Sequence, residues 1–131
     1  MVSYKKLPIY RKAFEFTLYV EQCSSNFNRK YKYTSGTELR LMARKLLRKI
    51  SRINRIKPEA KLEYCKQLLS IADDLEIELA LCLDLKVFQS QRSWYHAAEL
   101  LYDISSQCTK LENYFEGKKQ NSDGTAPCGV S

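Results

Sequence analysis

The sequence predicts an all-α fold, an antiparallel up-down-up-down four-helix bundle. The 131 residues include only four glycines and three prolines, so few positions interrupt a helix. Apolar residues recur at helical spacing in four successive segments, which short polar links separate. With 44% apolar and 28% charged residues, the chain has the composition of one ordered domain. We expect the bundle to occupy residues 1–116 and residues 117–131 to form a disordered C-terminal tail.

The first predicted helix begins at Pro8, where the missing N–H of proline does no harm, and ends near Phe27. Its apolar residues alternate at spacings of four and three, as they do in helices packed within bundles. This stripe consists of Ile9, Ala13, Phe16, Val20, Cys23 and Phe27. Tyr10, Phe14 and Leu18 widen the stripe, so we expect this helix to contact two neighbours.

A polar, basic connection over residues 28–34 leads to the second predicted helix. Ser35 and Glu38 have the spacing of a capping box, which fixes the start of this helix. The helix should end near Ile56, because the residue before Pro58 is pushed out of the helical region. Its apolar face consists of Leu39, Met42, Ala43, Leu46, Leu47, Ile50 and Ile53.

Positive charge is concentrated in residues 29–57, where eleven of the chain's 22 basic residues stand with a single acid, Glu38, giving a local net charge of +10. On a helical wheel at about 100° per residue, five arginines fall within about 120° of one another. We interpret this face as a docking surface for phosphates or for an acidic protein surface. The alternative is a charged outer face kept for solubility. The candidate binding residues are Arg29, Lys30, Lys32, Arg40, Arg44, Lys45, Arg48, Lys49, Arg52 and Arg55.

Four further residues bear on this face. Tyr31 and Tyr33 stand among cations in the connection before the second helix. They could stack on unpaired bases while the cations hold phosphates, or they could fold back onto the end of the bundle. Leu41 and Ile56 lie on the cationic side, either as scattered surface residues or as contacts with another subunit or partner.

The third predicted helix runs from Pro58 to about Lys86, and the fourth follows a short link over residues 87–90 and ends by Gly117. The apolar side of the third helix contains Leu62, Cys65, Leu69, Ala72, Leu75, Leu79 and Leu83. The heptad of the fourth helix contains Trp94, Ala97, Leu101, Ile104, Cys108, Leu111 and Phe115.

The second half of the third helix indicates self-association. Residues 79–85 are apolar almost all round, and a single four-helix bundle would leave part of that surface in water. Asp73, Asp74, Glu76 and Glu78 form an acidic patch earlier in the same helix. This patch could face the basic helix of the same subunit or of a neighbouring one.

The residues give little support to catalysis. The one histidine, His96, has no serine or cysteine nucleophile motif around it and is expected to be a partly exposed helix residue. We expect no catalytic residue, no metal and no cofactor, since Glu-x-x-His pairs and phosphate-binding glycine loops are absent from the sequence. Five cysteines without a C-x-x-C pair argue against a zinc site or a disulfide framework. Cys23, Cys65 and Cys108 should be buried as small apolar residues.

The sequence also bears on location. No apolar run is long enough to span a bilayer, and the first residues lack the apolar core of a signal peptide. We therefore expect a cytoplasmic protein without a membrane partner. The basic helix could in principle lie on a membrane surface, but its apolar face is needed for the bundle core.

The segment Phe27–Gly36, which reads Phe-Asn-Arg-Lys-Tyr-Lys-Tyr-Thr-Ser-Gly, is followed by Leu39-Arg40 and the basic helix. In these residues the chain resembles the accessory variability determinant proteins of diversity-generating retroelements. It is also similar to the related four-helix-bundle proteins encoded in intervening sequences of bacterial large-subunit ribosomal RNA genes. The similarity covers about residues 7–115 and is sharpest in the Lys-Tyr-x-Tyr-Thr-x-Gly loop. The chain departs from the family at Asn28-Arg29, where Pro-Lys is common, and in its cysteine-containing tail.

The resemblance implies a four-helix bundle assembled as a homopentameric barrel. In the accessory variability determinant branch, the positive surface of the barrel binds nucleic acid and the reverse transcriptase of the retroelement, and both are needed for mutagenic copying of a template RNA. The residues that match this surface are Arg40, Arg44, Arg48, Arg52 and Arg55, with Lys30 and Lys32 before them. The intervening-sequence branch shares the bundle and leaves a polymerase partner open.

These observations favour a non-catalytic accessory protein that binds a reverse transcriptase and RNA or an RNA–DNA hybrid through the basic face of the second helix. One alternative is a four-helix-bundle protein of the ribosomal intervening-sequence type. Another is a scaffold whose basic face binds an acidic protein and never touches nucleic acid.

Overall fold

The computed structural model describes residues 3–124, with side chains described for residues 3–119. Its five α-helices are α1 (Pro8–Ser25), the four-residue α2 (Arg29–Lys32), α3 (Ser35–Ser51), α4 (Lys61–Leu85) and α5 (Gln91–Gly124). Short 3-10 turns occupy Tyr4–Lys6, Ile53–Arg55 and Pro58–Ala60. No strand occurs in residues 3–124. The all-α class and the four long helices are therefore confirmed.

The four long helices pack around one shared core. Helix α1 contacts α3 and α5, and α4 contacts the same two helices, so each long helix has two neighbours. The predicted stripes supply most of the core, including Phe16, Leu46, Leu75 and Ile104, each at most 1% exposed. In α1 the stripe shifts by one residue near its end, because Ser24 is fully buried while Cys23 is only half-buried.

Polar contacts between side chains and backbone link helix α5 to its two neighbours. The indole Nε1 of Trp94 donates a hydrogen bond to the carbonyl oxygen of Leu79 in α4, at 2.7 Å. The hydroxyl of Tyr19 in α1 donates to the carbonyl oxygen of Ser93, at 3.2 Å. These bonds satisfy polar groups of aromatic side chains at the edge of the core, where an unpaired donor would be costly.

Helix α3 begins in a different way from the one predicted. The N-cap residue is Thr34, no side chain caps the helix, and Ser35 is a buried residue of its first turn. The predicted capping box of Ser35 and Glu38 is therefore wrong. The cause lies in the preceding connection, where Asn28 caps the short helix α2 by accepting from the Lys30 N–H at 2.9 Å. The chain thus enters α3 from a helical turn rather than from an extended loop.

Helix α3 also ends earlier than predicted, at Ser51 rather than near Ile56. Residues Ile53–Arg55 form a 3-10 turn, which keeps Ile53 buried at 4% exposure. Lys57 then adopts an extended backbone with φ −61° and ψ 144°, as expected for a residue that precedes proline. The chain therefore leaves the α-helix several residues before the proline and continues in a tighter turn.

Helix α4 is preceded by the 3-10 turn at Pro58, so its α-helical part starts three residues later than expected. It ends at Leu85, and its C-cap residue Lys86 adopts the left-handed conformation with φ 57°. Helix α5 continues through Gly117 to Gly124, so the prediction that it ends by Gly117 is wrong. A glycine inside a helix costs about 1 kcal/mol, which is too little to stop it by itself. The rest of the expected tail, residues 125–131, lies outside the described residues.

The cysteines of the described part are all free thiols, and three of them are buried. Burial raises the pKa of Cys65 to about 11, and nearby Glu112 adds to this effect. Burial likewise raises the pKa of Cys82 and Cys108 to about 12. Cys65 and Cys108 thus confirm the predicted buried positions, while Cys23 is half-buried. Within residues 3–124, no helix is long and apolar enough to cross a membrane.

Candidate nucleic-acid interface

Helix α3 has two chemically distinct faces, as the sequence predicts. Leu39, Ala43, Leu46 and Ile50 are at most 1% exposed and belong to the core. The opposite face is exposed and contains Leu41, Arg44, Lys45 and Arg48, followed by Arg52 at the C-cap. The backbone therefore directs most of the basic residues of α3 away from the core, although their side chains differ in what they contact.

Arg40 is engaged by its own subunit. Its Nη1 donates to the hydroxyl of Ser24 at 2.8 Å, and its Nη2 donates to the hydroxyl of Thr37 at 3.0 Å and to the carbonyl oxygen of Lys32 at 3.4 Å. Ser24 is fully buried, so the guanidinium satisfies a polar group that water does not reach. The prediction that Arg40 belongs to the outward binding set is not supported by these contacts.

Gly36 helps to position Arg40. A Cβ atom at this position would lie 3.2 Å from the Nη1 of Arg40 and 3.4 Å from the ring of Phe27. The separation from Arg40 is tighter than usual for a side-chain carbon, so the absence of a side chain leaves room for the guanidinium to fold back towards α1.

Arg44 and Lys49 also have partners within the subunit. The Nη2 of Arg44 lies 2.7 Å from the Oε1 of Glu21, and both side chains are about half exposed, at 52% and 48%. The Nζ of Lys49 donates to the Oε1 of Gln67 at 2.5 Å and stands 4.7 Å from the centre of the Tyr64 ring. Lys49 therefore points towards α4 rather than away from the bundle.

Four cations of α3, its C-cap and the turn Ile53–Arg55 have no such partners. Within the described part of the chain, their side chains form no hydrogen bond and no ion pair, and all four are exposed. Arg52 lies close enough to Tyr64 to oppose the rise in that phenol's pKa, which burial causes. We call this set the free basic surface, and it consists of Lys45, Arg48, Arg52 and Arg55.

The short helix α2 adds cations near the start of α3. Arg29 and Lys30 are exposed and Lys32 is half-buried. The ring of Tyr31 packs against the core with the Nζ of Lys30 at 5.5 Å from its centre, whereas Tyr33 is 71% exposed. Tyr31 therefore folds back onto the end of the bundle, which is one of the two interpretations of these tyrosines. The ring of Tyr33 is exposed to water, as stacking on an unpaired base would require.

The sequence analysis did not single out one group of basic residues, Lys5, Lys6 and Arg11. All three are exposed, and the turn Tyr4–Lys6 that contains two of them contacts α3. The net charge of the first 28 residues is small, because Glu15 and Glu21 offset part of the positive charge. A segment-wide net charge therefore does not reveal this group. The adjacent pair Lys5-Lys6 was the signal that could have identified them.

The acidic patch of α4 makes no ion pair with α3 within the described residues. Asp73, Asp74 and Glu76 are exposed. Burial raises the pKa of Glu78, and the carboxylate of Glu38 in α3 raises it further. At this point the two helices therefore bring like charges together, and the basic surface is not neutralised by α4.

His96 is exposed, as predicted, with its ring 4.6 Å from that of Tyr19 and its Nδ1 4.0 Å from Glu99. An open groove of about 730 Å³ adjoins these residues at the start of α5. In the described part of the chain, no three histidine, cysteine or carboxylate side chains come together in a way that could hold a metal ion.

No known protein family, curated protein or solved structure matches this chain.

Proposed function

We propose that this chain is a non-catalytic accessory protein that binds RNA or an RNA–DNA hybrid, together with a reverse transcriptase, through its basic face. The observation that carries the proposal is the free basic surface, Lys45, Arg48, Arg52 and Arg55, which is exposed and has no carboxylate partner among the described residues. The reverse transcriptase comes from the resemblance to the accessory variability determinant proteins. A cytoplasmic location fits these partners.

Electrostatics favours a polyanion as the ligand. Lys45, Arg48 and Arg52 stand at successive turns of α3 and its C-cap and repel one another by a few tenths of a kcal/mol per pair, roughly, and no acid of the described part of the chain pairs with them. Phosphates neutralise such a row and release their counterions, which is the main source of affinity for nucleic acids. Arg40, Arg44 and Lys49, being engaged within the subunit, contribute less to this binding than the sequence suggested.

The arrangement of the bundle is part of the proposal. We infer that the long helices alternate in direction, because the end of each contacts the start of the next. The supporting contacts are Ser24 with Arg40, Lys49 with Tyr64, and Leu79 with Trp94. We further infer a homo-oligomer, a pentamer by the resemblance, because Ile77 and Leu81 of α4 are 69% and 50% exposed and a second copy would cover them.

Charge reversal tests the binding surface. Changing Arg48 and Arg52 to Glu together should weaken binding of a labelled RNA by about tenfold or more, because two phosphate contacts become repulsive. The matched control reverses two exposed lysines elsewhere, Lys66→Glu in α4 and Lys110→Glu in α5, with the same change in net charge. Equal loss of affinity in both double variants would show that net charge, not this surface, governs binding.

One observation favours a second candidate, a scaffold that binds an acidic protein. Leu41 is 57% exposed on the cationic side of α3, one turn before Arg44 and Lys45, and an apolar side chain beside cations suits a protein partner better than a phosphate backbone. Nuclease treatment of a purified complex separates the candidates. A partner protein retained after complete digestion would support the scaffold.

A further inference from the structure

Three aromatic rings form a continuous series at the start of the chain. The ring of Tyr4 meets that of Tyr10 edge-on with centroids 4.9 Å apart, and Tyr10 lies 6.0 Å from Phe14 at a tilt of 39°. Tyr10 and Phe14 are four residues apart, so they stand one above the other on α1. Phe14 is 45% exposed, and Tyr4 and Tyr10 are partly exposed. We call these residues the aromatic series.

The aromatic series lies beside α3. The turn Tyr4–Lys6 contacts α3 directly, and the hydroxyl of Thr17, one turn after Phe14, lies 3.4 Å from the carbonyl oxygen of Ala43. Ile9 lines the same small groove as Ile53. The first half of α1 therefore runs along the second half of α3 and the turn that follows it, where the free basic surface is located.

Cations stand next to these aromatic residues in the sequence. Lys5, Lys6 and Arg11 are exposed and have no ion pair in the described part of the chain. Between residue 3 and Phe14 the sequence contains no acid, and the next one, Glu15, lies 3.8 Å from Lys12. The exposed ring of Phe14, the half-buried ring of Tyr10 that also packs against the core, and three cations without an ion pair in the described residues are chemically complementary to bases joined by phosphates.

We propose that this surface binds single-stranded nucleic acid, with unpaired bases stacked on Phe14 and Tyr10 and their phosphates held by the free basic surface and by Lys5, Lys6 and Arg11. The inference rests on the proposed function and narrows it to one class of ligand. Unpaired strands offer the faces of their bases, whereas in a duplex neighbouring bases cover those faces. A duplex would therefore contact the cations without using the rings.

The test compares a fluorescein-labelled 20-nucleotide oligouridine with a 20-base-pair RNA duplex by fluorescence anisotropy. The wild-type chain should bind the single strand more tightly. Phe14→Leu keeps an apolar side chain but removes the ring, and should weaken single-strand binding by about tenfold while changing duplex binding less than twofold, roughly. Phe14→Tyr keeps an aromatic ring and should bind the single strand about as tightly as the wild-type chain does. The matched control is Tyr102→Leu, which removes a ring that is 67% exposed on α5.

A strand that contains 2-aminopurine reports stacking directly, because stacking quenches its fluorescence. We expect quenching by the wild-type chain and its loss with Phe14→Leu at saturating protein. Equal affinity for duplex and single strand, or an unchanged affinity of Phe14→Leu for the single strand, would overturn this inference while leaving the proposed function intact. Absence of binding to either RNA at low salt would instead remove the proposed function.

Discussion

Arg44 of α3 and Glu21 of α1 form an ion pair with 2.7 Å between Nη2 and Oε1, across the boundary between the two helices. Four residues further on, Arg48 has no such partner in the described part of the chain. Two arginines at equivalent helical positions therefore differ in how readily they meet a ligand. The difference comes from the neighbouring helix, and it leads to the first prediction.

Changing Glu21 to Gln should strengthen nucleic-acid binding, because it releases the guanidinium of Arg44. The pair is about half exposed, so its loss should cost at most about 1 kcal/mol of folding stability. Affinity for RNA should rise by about two- to fivefold at moderate salt, measured by anisotropy. Glu76→Gln is the control, since it makes the same change in charge at an exposed carboxylate of α4 that forms no ion pair in the described part of the chain. An equal gain in the control would assign the effect to net charge.

The dependence of affinity on salt should report the number of available cations. Four phosphates neutralised by the free basic surface alone predict a slope of log affinity against log salt of about −2.8 for single strands and about −3.6 for duplexes, and three more held by Lys5, Lys6 and Arg11 would bring the single-strand slope to about −4.9. Five arginines, as counted from the sequence, would give about −3.5 to −4.5 by the same rule. A titration between low and moderate salt distinguishes the cases, and an affinity independent of salt would contradict any phosphate contact.

Folding stability should fall as the pH rises above about 9. The thiols of Cys82 and Cys108 have an ordinary pKa of 9.0, and burial raises it to about 12 in the folded chain. Between these values the unfolded chain has lost protons that the folded chain retains, so the stabilisation present below pH 9 is lost as the pH increases. Urea unfolding at pH 7.5 and pH 10 measures this loss.

Cys108→Ala provides the control for this pH dependence. It should be less stable than the wild type at pH 7.5, because the buried side chain becomes smaller, but should lose less stability on going to pH 10. Some dependence of the stability on pH should remain in this variant, because burial also raises the pKa of Tyr19 to about 12. An identical pH dependence in both proteins would exclude the Cys108 thiol as a source.

Lys86→Gly should stabilise the fold by about 1 kcal/mol. Lys86 ends α4 in the left-handed conformation with φ 57°, which glycine adopts without a steric penalty. Lys66→Gly makes the same chemical change at an exposed position within α4, away from its ends. There the substitution should instead lower the folding stability by about 1 kcal/mol. Thermal unfolding of both variants tests the assignment, and a loss of stability in Lys86→Gly would refute it.

The sequence was sufficient to predict most of the core because burial follows periodicity, although on α4 the predicted Leu69 is half-buried and the neighbouring Leu68 is buried instead. Phe16, Leu46 and Ile104 sit at helical spacings, and each is buried where that spacing puts it. The ends of helices are set by only a few residues and by the conformation of the chain next to them. Ser35 and Glu38 matched the pattern of a cap, yet the short helix α2 before them moved the N-cap to Thr34. The capping pattern of residues 35–38 carries no information about the conformation of the preceding residues, and that conformation decides where the helix begins.

The candidate site could be predicted only in part for a related reason. The positions of Arg40 and Arg48 on the helical wheel follow from the local sequence. The direction in which a long side chain points depends on the hydrogen-bond and ion-pair partners that the adjacent helix provides. Arg40 finds the buried hydroxyl of Ser24, sixteen residues earlier in the chain. The aromatic series was missed for the same reason, since Tyr4 joins Tyr10 only through the turn before α1.

Trp94 is the single tryptophan of the sequence, and its indole is bonded to the Leu79 carbonyl at the boundary of α4 and α5. The chain therefore carries its own optical reporter of bundle integrity, placed on different helices from the free basic surface. Its emission should shift to longer wavelength when the bundle opens and should stay unchanged when RNA is bound. One spectrum of each variant then distinguishes a protein that has lost its ligand from one that has lost its shape.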